Sequence, residues 1–280
     1  MSKDYSEEQF LERYTLIKDI VTVGKSPVDF PTAYILGGQP GSGKSRLQKL
    51  ILKQDNNTIV INADAYRVYH PYFTDFQSEF GDRSPEYTQP FINHVTEKLI
   101  SDLSDEHYNL IVEGTLRSAD VPIATCQLMK NKGYHVKLYI MAVKPEISYE
   151  STILRYEYAL SKGEIPRATE KRHHDMVVSS LVENIKMIEE RGAFDTIYLF
   201  TRFGNCVYDS NGTNTTASCV EQGVLYGKWN KMEFNELQRI ISEVNELKAL
   251  RKSADMNNYK QRTHTVLRKV YSQLTKGYIR

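Results

Sequence analysis

Eight consecutive residues carry the clearest chemistry in the chain. Gly38, Gln39, Pro40, Gly41, Ser42, Gly43, Lys44 and Ser45 satisfy the pattern G-x-x-x-x-G-K-[ST]. Glycines at these intervals let backbone N–H groups turn inward around a phosphate, and the N-terminus of a following helix adds positive potential. Lys44 can reach the β- and γ-phosphates of a nucleoside triphosphate, and the Ser45 hydroxyl can hold Mg²⁺. The apolar run Tyr34-Ile35-Leu36 before the loop and the helical pattern after it separate this stretch from a chance glycine-rich turn.

Two carboxylates and two arginines decide what such a loop is used for. Asp64 follows the apolar run Ile59-Val60-Ile61-Asn62, about twenty residues after Lys44. The carboxyl ends of neighbouring strands in an α/β sheet open onto one crevice, so Asp64 is expected to face the phosphates. There it can accept a hydroxyl proton as a γ-phosphoryl group leaves ATP, or it can simply cap the helix that follows. Glu113 ends another apolar run in the place of a Walker B acid, where it could hold a magnesium-bound water or a substrate hydroxyl. Gly114 lets a ligand approach the backbone, and Thr115 and Arg117 project from the loop beyond; a plain exposed turn is the other reading. Arg155 and Arg167 lie either side of a helix–turn–helix able to act as a lid. Guanidinium forks grip phosphate oxygens bidentately, although an arginine is as readily half of an exposed salt bridge.

The hydrophobic pattern supplies a scaffold for these residues. Short β-branched and aromatic runs at 32–36, 58–62, 108–112, 136–143 and 196–200 suit strands buried on both faces of a parallel sheet. Helical patterns alternate with them at 43–53, 84–103, 120–132, 145–160 and 169–191, the last two joined by a turn at 163–166. Ser6 and Gln9 form a capping box that opens an N-terminal helix, expected to send Phe10, Leu11, Tyr14 and Leu16 to the core. Ser84 is expected as a cap with Pro85 in the first turn, and Gly133 as a stop. Strand alternating with helix predicts an α/β fold with a parallel sheet.

Composition narrows the setting. A chain of 280 residues with 40% hydrophobic and 25% charged residues is not a disordered chain, and is long enough to bury a core without staples. No run approaches the ~18 apolar residues of a membrane span, and the charged N-terminus lacks the apolar centre of a signal peptide. Cys126, Cys206 and Cys219 are too few and too scattered for a disulfide framework or a zinc site, and the sequons at Asn211 and Asn214 read as incidental. His173 and His174 project about 100° apart on a helix, so they do not converge on a metal. The expectation is a soluble, reduced, cytoplasmic protein.

With a net charge of +1 and no interleaving of basic and aromatic residues, no nucleic-acid partner is expected. The charge is uneven, however: residues 230–280 hold 11 Lys and Arg against 5 Asp and Glu, leaving −5 for the rest. Leu237, Ile240, Ile241, Val244, Leu247 and Leu250 form one helical stripe there, and Val266, Leu267, Val270, Tyr271 and Leu274 a second. The expected organisation is a body over 1–229 and a basic helical extension over 230–280.

The ordered set GGQPGSGKS, INADAYRVYHP, YNLIVEGTLRSADVP, RYE, IPRAT and HHD, with Cys206-Val207-Tyr208-Asp209-Ser210 beyond it, resembles the zeta toxins over roughly residues 5–230. The resemblance implies a P-loop kinase fold, with a mostly parallel sheet flanked by helices and the C-terminal helical extension added. It implies an ATP- and Mg²⁺-dependent kinase acting on the 3′-hydroxyl of the amino sugar of UDP-N-acetylglucosamine. Such a kinase blocks peptidoglycan synthesis and is restrained by a cognate antitoxin. Lys44 then matches the P-loop lysine and Ser45 the magnesium ligand, where many members have Thr. Asp64 matches the catalytic base, and Asn62 stands where some members have Asp. Glu97, Glu113, Thr115, Arg117 and Thr125 match positions of the substrate pocket. Arg155 and Arg167 match arginines that grip the ATP phosphates. Glu97 would otherwise read as a solvated helix residue. The basic extension does not align with the family and reads as a hairpin packed on the body, or as a surface for antitoxin, anionic membrane or nucleic acid.

Two other functions fit the same residues: a related kinase with another nucleotide sugar or a dinucleotide as acceptor, and a regulatory ATP-binding module without catalysis.

Overall fold

The computed structural model describes residues 4–212 and 214–275. Five of its strands arise at the predicted runs: β1 (Thr32–Gly37), β2 (Ile59–Ile61), β3 (Leu110–Glu113), β4 (His135–Ala142) and β5 (Thr196–Thr201). A sixth, β6 (Cys206–Asp209), pairs antiparallel with β5 and completes a sheet of order β2-β3-β1-β4-β5-β6. Near-continuous apolar sequence is what a parallel strand covered on both faces requires, and β1, β3 and β4 are buried almost throughout. Because β3 inserts between β1 and β2, Leu36 pairs with Glu113 and Ile61 with Val112. The loops that leave β1, β2 and β3 therefore issue side by side from one edge, where open α/β sheets bind ligands.

Helices cover both faces: α1 (Glu7–Thr22), α2 (Lys44–Gln54), α3 (Phe73–Phe80), α4 (Ser84–Asp105), α5 (Asp120–Asn131), α6 (Pro145–Ser161), α7 (Lys171–Glu190), α8 (Ala217–Tyr226), α9 (Lys231–Leu250) and α10 (Met256–Thr275). The capping box of α1 forms as expected: the Gln9 amide donates to Ser6 Oγ at 3.2 Å and the Ser6 amide to Gln9 Oε1 at 2.9 Å. Its buried face is Phe10, Tyr14 and Ile17, whereas Leu11 and Leu16 stay 45% and 43% exposed. A 3.6-residue period runs 10, 14, 17 and leaves 11 and 16 on the flanks. Ser84 is not the cap of α4. A short 3₁₀ turn, Gly81–Arg83, runs straight into the helix, Arg83 takes the cap position, and the buried Ser84 hydroxyl is hydrogen-bonded by Gln77 of α3.

The C-terminal pair packs on α6. α9 buries Leu237, Ile240, Ile241 and Val244, but Leu250 is 81% exposed, and on α10 Val270 is buried while Tyr271 is 58% exposed. Two buried carboxylates of α6 fasten the contact. Glu157 accepts from Arg251 at 2.7 and 2.9 Å and pairs with Lys248 at 2.8 Å, and Glu150 accepts from Arg262 at 2.6 and 3.0 Å and from the Tyr259 hydroxyl at 3.0 Å. Charges this deep persist only when paired, so removing one partner is more damaging than the net worth of the pair suggests.

Glu221 of α8 is the contrasting case. It is fully buried, and neither carboxylate oxygen finds a hydrogen-bond partner among the described residues. Burial pushes its carboxyl up to about 8. The folded protein therefore holds a proton that the unfolded chain has released, and stability falls as pH rises from the ordinary carboxylate range to about 8. Glu221→Gln is expected to raise Tm by several degrees at pH 8 and to leave it unchanged near pH 4, as thermal denaturation at the two pH values would show.

Candidate active site

The loop after β1 is built around backbone that only glycine tolerates. Gly38 and Gly41 have φ of +134° and +75°, and a Cβ on Gly41 would lie 2.0 Å from the Ser148 carbonyl oxygen. Gly43 precedes α2 without any side-chain cap; the Arg46 amide donates to the Gly43 carbonyl at 2.9 Å, which leaves the Lys44 and Ser45 amides at the helix N-terminus to meet an anion. Lys44 Nζ donates to the Gly38 carbonyl at 2.8 Å and lies 3.4 Å from that of Gln39. The buried Ser42 hydroxyl has no hydrogen-bond partner among the described residues. Ser45 sits exposed on the first turn of α2, and Pro40 and Gly41 line the crevice beside Lys44. Gln39 turns the other way, into the interior, where its Nε2 donates to the Val143 carbonyl at 2.7 Å. A glycine cradle, an orphaned hydroxyl, a helix N-terminus and an ammonium group together fit a polyphosphate.

That crevice, about 460 Å³, gathers Lys44, Asp64, Glu113, Thr115, Arg155 and Arg167. Asp64 lies in a 3₁₀ stretch, Ala63–Tyr69, whose cap position is Asn62, so it does not act as the cap. Its carboxylate instead forms an ion pair with Arg167 through Oδ2, and Oδ1 accepts from Arg67 Nε and Nη2 at 3.1 and 3.0 Å. Arg67 escaped the sequence reading. It is buried, and α4 holds it through the Pro85 carbonyl, the Thr88 hydroxyl and Gln89 Oε1, each at 2.8 Å. The i,i+3 spacing from Asp64 was its one available signal.

Electrostatics in the crevice follow from this crowding. Lys44 keeps some contact with solvent, yet the walls close around its ammonium and the lost hydration pushes it down to about 8. Glu113 opposes that shift, while Arg155 and Arg167 add to it. Desolvation raises the Glu113 carboxyl above the usual range, against the pull of Lys44 and Arg155. Gln48 of α2 donates a hydrogen bond to Glu113 Oε1, and Arg155 Nη2 lies 3.4 Å from the Thr169 hydroxyl.

A second chamber of about 380 Å³ shares Glu113, Gly114 and Thr115 with the first. Arg117 and Thr125 line it, as does Asn93 of α4. Glu97 is exposed one turn further along α4 and lines neither chamber. The structure thus brings together all the singled-out polar side chains except Gln39, Ser42, Ser45 and Glu97. Ser42 and Ser45 belong to the phosphate loop itself.

Comparison with known proteins gives the chain its relatives. The zeta toxin family model matches residues 18–213. Toxin PezT of Streptococcus pneumoniae serotype 4 is 41% identical over 250 residues, covering 88% of this chain and 98% of that toxin. Toxin zeta of Streptococcus pyogenes is 35% identical over 260 residues, covering 92% and 90%. A solved structure from the PezAT chromosomal toxin–antitoxin system of S. pneumoniae superposes with a TM-score of 0.80 at 37% identity, across 88% of this chain and 98% of its own. A complex of AvrRxo1-ORF1 with ORF2 and ATP shares the fold alone, with a TM-score of 0.54 at 16% identity over 86% and 82%. A family model spanning most of the chain, and relatives that align with it almost end to end, place this protein in the zeta toxin family.

Proposed function

We propose that the protein is an ATP-dependent phosphotransferase, the toxin of a toxin–antitoxin pair, whose acceptor is the 3′-hydroxyl of the amino sugar of UDP-N-acetylglucosamine. One observation carries the reading: the Asp64 carboxylate shares a crevice with Lys44, Arg155 and Arg167, and that crevice joins a second chamber at Glu113, Gly114 and Thr115. A phosphate cradle alone would serve many ATP users, whereas a proton acceptor beside it and a chamber for a second molecule suit transfer to a hydroxyl.

In this mechanism the backbone N–H groups of Gly41, Gly43, Lys44 and Ser45 and the Lys44 ammonium hold the triphosphate. Arg155 and Arg167 neutralise charge on the transferring group. A phosphate oxygen competes with Asp64 for the Arg167 guanidinium, and that exchange frees Oδ2 to take the hydroxyl proton. Arg67, fixed by three contacts to α4, keeps the carboxylate oriented through Oδ1. The Ser45 hydroxyl would hold Mg²⁺, which would supply further charge neutralisation. Glu113, Thr115, Arg117 and Thr125 hold the nucleotide sugar in the second chamber, which Glu97 does not line.

The rest of the proposal follows from that activity. Depletion of a cell-wall precursor would be the toxic effect, the cytoplasm the place of action, and a cognate antitoxin the partner. Among the described residues no helix is long and apolar enough to cross a membrane. The body over 1–229 would carry the chemistry, and the extension over 230–280 would brace α6.

³¹P NMR of the protein with ATP, Mg²⁺ and UDP-N-acetylglucosamine tests the reading, and a new phosphomonoester resonance is expected. Turnover with a different nucleotide sugar or a dinucleotide would reassign the acceptor. ATP binding without transfer to any acceptor would leave a regulatory module.

A further inference from the structure

The lid side of the site is joined to the phosphate loop through the interior as well as across the crevice. Gln39, Ser148 and His174 come from three separate elements, the loop after β1 and the first turns of α6 and α7, and each is fully buried. Gln39 Nε2, besides its bond to Val143, donates to Ser148 Oγ at 3.3 Å. Ser148 Oγ lies 2.8 Å from His174 Nε2 and 3.0 Å from the Pro145 carbonyl oxygen. His174 Nδ1 faces Asp175 Oδ1 at 3.4 Å.

The hydroxyl of Ser148 is the joint of this chain. It has one proton to give and two lone pairs to receive, and three polar groups from different elements surround it. With no water-exposed alternative, moving the loop or α7 independently would strand at least one buried group. The backbone offers no slack either, since Gly41 rests so closely on the Ser148 carbonyl that a Cβ has no room. At the far end, α7 begins four residues after Arg167, and His173, next to His174, lines the crevice.

We propose that the buried Gln39–Ser148–His174 chain is a positioning device that ties the entry of α7, and with it Arg167, to the phosphate loop. The loop then keeps its phosphate-binding shape only while α7 is docked, and the Gln39 and His174 side chains act without touching substrate. The consequence for turnover rests on the phosphotransferase reading, but the consequence for the loop does not.

His174→Leu and His174→Gln separate this role from packing, because both fill a similar buried volume and only glutamine can hydrogen-bond to Ser148. In the leucine variant, amide hydrogen exchange across residues 38–43 is expected to quicken by about tenfold. The KM for ATP is expected to rise on the order of tenfold, as a displaced cradle requires. Glutamine is expected to return both towards the wild-type values. Ser148→Ala added to His174→Leu is expected to change little further, since both substitutions break the same joint. Should the leucine variant fail to fold, Ser148→Ala gives the same comparison from the centre of the chain.

Unchanged exchange across 38–43 in a folded variant would overturn the proposal. So would leucine and glutamine variants that behave alike, or a loss that merely tracks Tm. If the wild-type protein transfers no phosphate, the functional reading fails, and the exchange comparison by itself decides whether the tie exists.

Discussion

Asp64→Asn is expected to lower phosphoryl transfer by roughly a hundred- to ten-thousand-fold while leaving ATP binding unchanged or slightly tighter. Asparagine keeps the size of the side chain and an oxygen for Arg67 to donate to, so the 3₁₀ stretch and its anchorage on α4 survive. What it loses is the capacity to take a proton from a hydroxyl. The neutral amide also gives up its ion pair with Arg167, which leaves that guanidinium more available to a phosphate. Single-turnover transfer from ATP, set beside ATP affinity from calorimetry, distinguishes this outcome from a general loss of the site. Transfer at the wild-type rate would remove Asp64 from the role of base. Equal losses in affinity and rate would make it a binding residue only.

The phosphate loop was legible because its backbone demands are written in residue types. Gly38 and Gly41 stand where φ is positive and a side chain has no room, so the pattern and the geometry are one fact. Asp64 and Glu113 were legible for a related reason, since an apolar strand that ends in a carboxylate delivers it to the sheet edge. What the pattern could not supply was the strand order. Only the insertion of β3 between β1 and β2 sets Glu113 beside the phosphate loop, and that pairing is non-local.

Contacts across elements were equally invisible. Gln48 reaches Glu113 across 65 residues, and Arg67 depends on Pro85, Thr88 and Gln89. Buried acids leave no mark in the sequence either. Glu150, Glu157 and Glu221 sit in helices where an acidic residue normally marks the solvent face, and only packing shows that they do not. The helices α3 and α8 are eight and ten residues long, too short for a period to declare itself, and β6 has two exposed residues out of four. Glu97 was singled out by likeness alone, and its exposure on α4 leaves its role to experiment.

Lys44→Ala is expected to cost roughly a hundred- to a thousand-fold in kcat/KM for ATP, since it removes the one ammonium group that reaches into the phosphate cradle from α2. The pH profile of the unmutated protein offers an independent check on the same residue. Burial has already pushed the Lys44 ammonium down to about 8, and a lysine carries its charge only below that value. In the free protein the charge is therefore about nine-tenths present at pH 7 and fades as pH rises through 8, so kcat/KM for ATP is expected to fall over that range. A bound triphosphate favours the charged form and moves the loss to higher pH, so kcat should hold up where kcat/KM has begun to drop. In the alanine variant the alkaline limb near pH 8 is expected to vanish along with most of the activity. A limb that persisted there would assign the titration to some group other than Lys44.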